Sequence, residues 1–262
     1  MAEFWDKYIH RAEEVSAQDS APTELLDFYV KLLRVQKQIY ESLRSRRNWL
    51  PSGFLTEDLH VVKSYFPILL SLVDEHGPAA LKSEAQTLSG VKEKAVEELL
   101  LTYWHFPSAD QFFAKAFLQP YARWLADLGR QPQDRRFEKV ENRCPFCGGM
   151  PQVSYLQTKE ASAESGNRDL VCAICLTSWS FRRVVCAYCL EERPFQLLIF
   201  QSTTYDYVRV EACDTCKRYL KGIDLTHFGF AVPLVDDVAS AVLDVWAQEH
   251  GYTKIELNLV GV

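Results

Sequence analysis

The chain has 262 residues, 48% of them hydrophobic and 13% aromatic, with a formal net charge of −6. That is enough apolar material for packed cores and enough length for two domains, while the acidic balance argues against a nucleic-acid module, which carries a basic face. The longest apolar run, near Phe66 to Val73, is too short to cross a bilayer, and the opening Met-Ala-Glu-Phe-Trp-Asp-Lys lacks the basic and apolar regions of an export signal, so a soluble cytoplasmic protein without membrane insertion is expected.

Residues 1 to about 130 read as helical. Pro22-Thr23-Glu24 opens a long helix whose apolar positions Leu25, Tyr29, Leu32, Ile39 and Leu43 recur by threes and fours. It ends in Arg44-Ser45-Arg46-Arg47, cations at the negative end of a helix dipole rather than a phosphate site. A second helix is expected from Glu57 to His76, kinked or broken at Pro67 and stopped by Gly77-Pro78. Further helices follow over Ala79 to Leu88, Val91 to Trp104 and Asp110 to Leu128, and Gly129 to Asp134 reads as a polar linker. His105 reads as a partly buried helix-end residue, and Trp124 and Trp179 as core aromatics.

All eight cysteines lie beyond that linker, in four Cys-x-x-Cys doublets: Cys144/Cys147, Cys172/Cys175, Cys186/Cys189 and Cys213/Cys216. Each doublet presents two thiolates to one tetrahedral ion, so four doublets supply two closed four-sulfur sites. Corresponding cysteines of the two halves are 42 and 41 residues apart (144 to 186, 172 to 213), the mark of a duplicated unit. Each unit reads as knuckle, β-hairpin, knuckle. In the first, Val153 to Gln157 and a return strand starting at Leu170 flank a polar tip from Thr158 to Asp169. In the second, Phe195 to Phe200 and Tyr205 to Val210 flank a Ser-Thr-Thr turn. Consecutive pairing of doublets is favoured by spacing, and a crossed pairing stays open. A disulfide framework fits poorly without an export signal, and no βαβ pattern surrounds any doublet as a thioredoxin-like dithiol would require. Four thiolates suit zinc, and a single iron equally. Residues 143 to 218 hold nine Lys/Arg and eight Asp/Glu; two tetrathiolate sites would turn this balance acidic.

Arg218 to Asp224 reads as a closing strand and turn. Asp236-Asp237 reads as an N-cap leading a helix with Val238, Val242, Leu243 and Trp246 on one face, ended by His250-Gly251. The tail from Ile255 to Val262 is apolar enough to pack. The chain has no phosphate loop, nucleophile elbow or His-Glu-x-x-His, no histidine stands at zinc-finger spacing from a doublet, and closed four-sulfur sites lack the open position of catalytic zinc. No catalytic residue is assigned, and a binding protein is expected instead of an enzyme.

Arg143-Cys144-Pro145-Phe146-Cys147-Gly148-Gly149-Met150-Pro151, Leu170-Val171-Cys172-Ala173-Ile174-Cys175-Leu176-Thr177-Ser178-Trp179, Arg182-Arg183-Val184-Val185-Cys186-Ala187-Tyr188-Cys189, and Glu211-Ala212-Cys213-Asp214-Thr215-Cys216-Lys217-Arg218-Tyr219-Leu220-Lys221 together resemble the FdhE family of formate dehydrogenase accessory proteins. The Asp236-Asp237-Val238-Ala239-Ser240 segment resembles that family's final helix. The resemblance is clear over residues 140 to 251 and weaker in the helical half, where Asp27 to Leu33 carries it. It implies a cytoplasmic factor that matures respiratory formate dehydrogenases by binding their catalytic subunit, and rubredoxin-like sites in which the eight cysteines hold two ions, zinc or iron. One departure stands out: only the first knuckle has a glycine (Gly148) after its second cysteine, where Leu176, Leu190 and Lys217 follow the others. Glycine eases the turn that points N–H groups at sulfur, so the later knuckles are expected to bind differently.

The expected architecture is therefore α+β and multidomain: a helical domain over 1–133, tandem rubredoxin-like or zinc-ribbon modules over 140–180 and 181–224, and a C-terminal helix and tail over 225–262. Two other functions compete: a zinc-ribbon adaptor in a transcription or nucleic-acid complex, and a thiol redox sensor.

Overall fold

The computed structural model describes residues 3–18, 22–108, 111–158 and 167–261. Helix α1 (Glu3–Ser16), which the sequence reading did not single out, buries Trp5, Tyr8, Ala12 and Val15 on one stripe at spacings of three and four. Helix α2 spans Thr23–Ser45 and buries Tyr29, Leu32, Ile39 and Leu43 as the periodicity requires; Leu25 is only half-buried, and Arg44, Arg46 and Arg47 are exposed. The segment expected to kink or break at Pro67 is two helices, α3 (Leu55–Val62) and α4 (Phe66–His76), separated by a 3-10 turn at Lys63–Tyr65. Pro67 lies in the first turn of α4, where its missing N–H has no partner to lose, so the break precedes the proline. Helices α5 (Ala79–Gly90) and α6 (Glu93–His105) follow. His105 is exposed, not partly buried.

Helix α7 (Phe112–Asp127) is buried almost all round, including Phe113, Phe117, Leu118, Tyr121 and Trp124 and the polar Lys115 and Gln119. A helix buried on every face belongs to the centre of a fold, and α7 packs against α2, α4 and α6. The expected start at Asp110 lies outside the described residues. The polar segment after α7 is clamped to the helices: the Gln133 N–H donates to the Gly53 carbonyl (2.8 Å), and Trp104 Nε1 donates to Asp134 (2.8 Å).

The two cysteine units form one sheet. Strands β1 (Pro151–Gln157), β2 (Asn167–Cys172) and β3 (Ser178–Phe181) make an antiparallel meander, and β4 (Leu197–Gln201), β5 (Val208–Cys213) and β6 (Arg218–Asp224) make a second. Residues 159–166 of the first expected hairpin tip lie outside the described residues. Phe195 falls before β4, and β5 starts at Val208, not Tyr205. The order β3-β2-β1-β6-β5-β4 joins the meanders by a parallel β1–β6 pairing, with Val153 opposite Lys221 and Leu156 opposite Asp224. A short β7 (Thr253–Lys254) continues along the same edge of β6. Helices α8 (Pro233–Ala239) and α9 (Ala241–Glu249) follow the sheet. One apolar core runs without interruption from Trp5 in α1 through α7 to Val153, Val171 and the first four cysteines. The second meander contributes to two small satellite cores, one around Leu170, Val185 and Leu220 and one around Val210, Tyr219 and Ala247.

Candidate metal centres

The doublets come together consecutively. Cys144, Cys147, Cys172 and Cys175 form one group and Cys186, Cys189, Cys213 and Cys216 the other, with the sulfurs of each group all within 4.8 Å of one another. Neighbouring sulfurs lie 3.4 Å apart for Cys147–Cys172 and Cys147–Cys175, 3.6 Å for Cys144–Cys175, 3.7 Å for Cys189–Cys213 and 3.8 Å for Cys186–Cys216. A tetrahedron with 2.3 Å metal–sulfur bonds has edges of about 3.8 Å, whereas a disulfide would need about 2.05 Å. All eight cysteines are free thiols. Two groups able to hold a tetrahedral ion are thus set out in the fold.

Local backbone geometry explains how the doublets aim their sulfurs. The residue after each second cysteine is left-handed: Gly148 (φ 72°), Leu176 (59°), Leu190 (62°) and Lys217 (56°). All four make the same turn, so the glycine at the first knuckle does not mark a different backbone geometry. The turn closes by N–H donation from Gly148 to the Cys144 carbonyl, from Leu190 to Cys186 and from Lys217 to Cys213. It also directs N–H groups at sulfur, Ile174 to Cys172 (3.3 Å) and Tyr188 to Cys186 (3.4 Å). Gly148 has a second reason to be glycine, because a Cβ there would lie 2.2 Å from Phe137 Cγ.

The two quartets sit in different surroundings. All four sulfur residues of the first are buried; in the second, Cys189 is exposed and Cys216 half-exposed. The first is also covered by the helical half. Gln119 donates to the Ala173 carbonyl (2.8 Å), Arg135 to the Cys147 carbonyl (3.0 Å), and the Thr177 hydroxyl lies 3.3 Å from Cys144 Sγ and 3.0 Å from Cys175 Sγ. Burial pushes the Cys172 and Cys175 thiols well above the usual range. Hydrogen bonds from the other three cysteines hold Cys144 low instead; four thiolates gathered there would repel one another, and a divalent ion held among them would supply the compensating charge. In the second quartet burial raises Cys186 to about 11; burial also opposes ionisation of Cys213, but the N–H groups of Cys216 and Thr215 outweigh it and lower that thiol.

Asp236 and Asp237 are not an N-cap. The helix starts at Pro233, both aspartates lie inside it, and both are fully buried. Asp236 accepts from Arg11 of α1 (2.6 and 3.2 Å), from the Tyr207 hydroxyl (2.9 Å) and from the Val232 N–H (2.6 Å). Asp237 pairs with Lys254 (2.7 Å) and Lys221 (3.1 Å), and Asp244 pairs with the same two lysines. Burial raises the Asp237 pKa, but the ammoniums of Lys221 and Lys254 outweigh it and hold the carboxyl below its usual range. Arg11, Lys221 and Lys254 were not legible in sequence as members of this cluster; Lys221 and Lys254 stand beside Leu220 and Ile255, a weak signal, and Arg11 among His10, Glu13 and Glu14 gave none. Val242 is exposed, and Trp179 is half-buried with Nε1 donating to the Glu141 carbonyl (2.9 Å); Trp124 is buried.

Fold and site together define a protein that joins a helical bundle to a sheet built from two four-cysteine ribbons. The FdhE central-domain family model matches residues 143–183 and the FdhE C-terminal-domain model residues 184–260. A "Protein FdhE homolog" of Aquifex aeolicus is 35% identical over 207 residues, covering 78% of this chain and 71% of that protein. Homologues of the same name from Haemophilus influenzae are 29% identical, and there the alignment spans 64% of their length. The crystal structure of the FdhE protein from Pseudomonas aeruginosa shares the fold with a TM-score of 0.70, at 22% identity over 99% of this chain and 96% of that one. The chain belongs to the FdhE family.

Proposed function

We propose that this protein is a metal-binding accessory factor for the maturation of a respiratory formate dehydrogenase, that it works in the cytoplasm by binding the enzyme's catalytic subunit, and that it is not itself an enzyme. The observation that carries the reading is the pair of cysteine quartets at tetrahedral spacing in a chain of this family. Cys144, Cys147, Cys172 and Cys175 would hold one ion, and Cys186, Cys189, Cys213 and Cys216 the other, each zinc or iron. The bound ion would stiffen two knuckles into one rigid corner. Division into helical, first-ribbon, second-ribbon and C-terminal parts at 133, 180 and 224 belongs to the same proposal.

A binding role is supported by exposed apolar surface on the second ribbon side. A groove of about 970 Å³ between β4 and α9 is lined by Ile199, Phe200, Tyr205, Val242, Leu243 and Trp246. Several basic side chains of the second ribbon are engaged by carboxylates: Arg182 pairs with Glu141 and Glu192, Arg193 with Glu191, and Lys217 with Asp214. Such pairing favours a protein partner over nucleic acid. Among the described residues no helix is long and apolar enough to cross a membrane.

Tagged protein should retain a formate dehydrogenase catalytic subunit from anaerobic cells, and its deletion should abolish formate oxidation in membranes. No retention together with normal activity after deletion would overturn the reading. Elemental analysis should give two ions per chain; red ferric thiolate absorption marks iron, and a colourless protein marks zinc.

A further inference from the structure

We propose that the two centres have divided labour: the second quartet is an exchange site, which takes up and releases its thiophilic divalent cation while the first stays filled. The proposal rests on the reading that both quartets hold metal. Ligand exchange at a closed tetrahedral centre needs a path for an incoming donor, and then a bond to one resident sulfur must break. The first quartet offers no such path. Its four cysteines are each 0% exposed, it lies within the main core, and Gln119, Arg123 and Arg135 reach across to the carbonyls of Ala173, Leu176 and Cys147.

In the second quartet the path exists at Cys189, an exposed cysteine, with half-exposed Cys216 beside it. Contacts from elsewhere do reach these knuckles, Asn142 to the Tyr188 carbonyl, the Thr215 hydroxyl to Glu191 and Tyr252 to Asp214, but they leave Cys189 exposed. Cys186 and Cys213 are buried and anchor the ion from beneath. An incoming thiolate or chelator donates a lone pair to the ion as the Cys189 Sγ–metal bond breaks. The bonding pair leaves with Cys189 sulfur, which takes up a proton from solvent. No electron changes hands and no oxidant is needed. Repetition at Cys216 would leave the ion held by Cys186, Cys213 and the incoming donors, and displacement of those last two sulfurs by further donor atoms, each sulfur taking up a proton, would release the ion on the donors.

Full-length protein loaded with Zn²⁺ and challenged with excess EDTA beside a colorimetric zinc indicator tests this. One equivalent should leave at least tenfold faster than the other. Iodoacetamide added to the same loaded protein, followed by peptide mass spectrometry, should label Cys189 and Cys216 before any cysteine of the first quartet. Cys189→Ser should remove the fast phase and leave the slow one unchanged. Two equivalents leaving in a single phase, or equal labelling of both quartets, would overturn the proposal alone. Uptake of fewer than two equivalents by the wild type would overturn the metal reading with it.

Discussion

Four residues carry the same unusual backbone conformation for different reasons. Leu176, Leu190 and Lys217 hold a left-handed turn at a cost of about 1–2 kcal/mol each for an L-residue, and Gly148 holds it without strain. Gly148→Ala adds both the backbone penalty and a Cβ 2.2 Å from Phe137 Cγ, so it should destabilise by at least ~2 kcal/mol in denaturant titration. Lys217→Gly should do the reverse and stabilise by up to about 1 kcal/mol, since the side chain is largely exposed and the strain is released. Leu176→Gly would not share that gain, because Leu176 is buried in the core. The sulfur ligand sets were legible because a Cys-x-x-Cys doublet is a local signal. The turn that follows each doublet was not legible in three of four, because the fold imposes φ there against residue preference.

Helices and strands were legible in proportion to how much of their environment lies within a few residues. The periodicity of α2 gave its buried face; that of α7 did not reveal a helix buried all round, because its neighbours α2, α4 and α6 come from distant sequence. The Asp236-Asp237 pair shows the same limit. Read locally it is a cap, yet Arg11 lies 225 residues away, and Lys221 and Lys254 come from strands on either side of α8. Two lysines and two aspartates, Asp237 and Asp244, are all almost completely buried and neutralise one another. Removing one partner from such a set costs about 3–5 kcal/mol, so Asp237→Asn should lower the unfolding free energy by that much near pH 7. The lowered Asp237 pKa fixes the sign: its contribution is present above the carboxyl's unfolded value and is lost as pH falls through the lower folded one. The stability gap between wild type and Asp237→Asn, followed by denaturant midpoint, should therefore close on acidification below about pH 4.

At the scale of the whole molecule the class of fold could be read from composition and cysteine spacing, but its assembly could not. The parallel β1–β6 seam joins two units that look independent in sequence, and the core of the helices extends through α7 into the first quartet. Stripping both ions should consequently loosen more than the ribbons. Loss of a structural site removes more than ~3 kcal/mol, and at ~2–4 °C per kcal/mol for a chain of this size the melting temperature should drop by about 10 °C or more. New protease cuts should appear near residues 129–143, where Arg135 reaches the Cys147 carbonyl; a melting temperature unchanged after verified demetallation would contradict this coupling. The Arg11–Asp236 bond has a consequence in time. Ribosomes add about 5–20 residues per second, so Arg11 emerges roughly 10–45 s before the aspartate that neutralises it. Through that interval Arg11 has only the exposed Glu14 of its own helix for a counter-charge, and by its end all eight cysteines, the last at 216, are in the chain. The clasp between the first helix and α8 thus closes only after every sulfur of both quartets is in the chain.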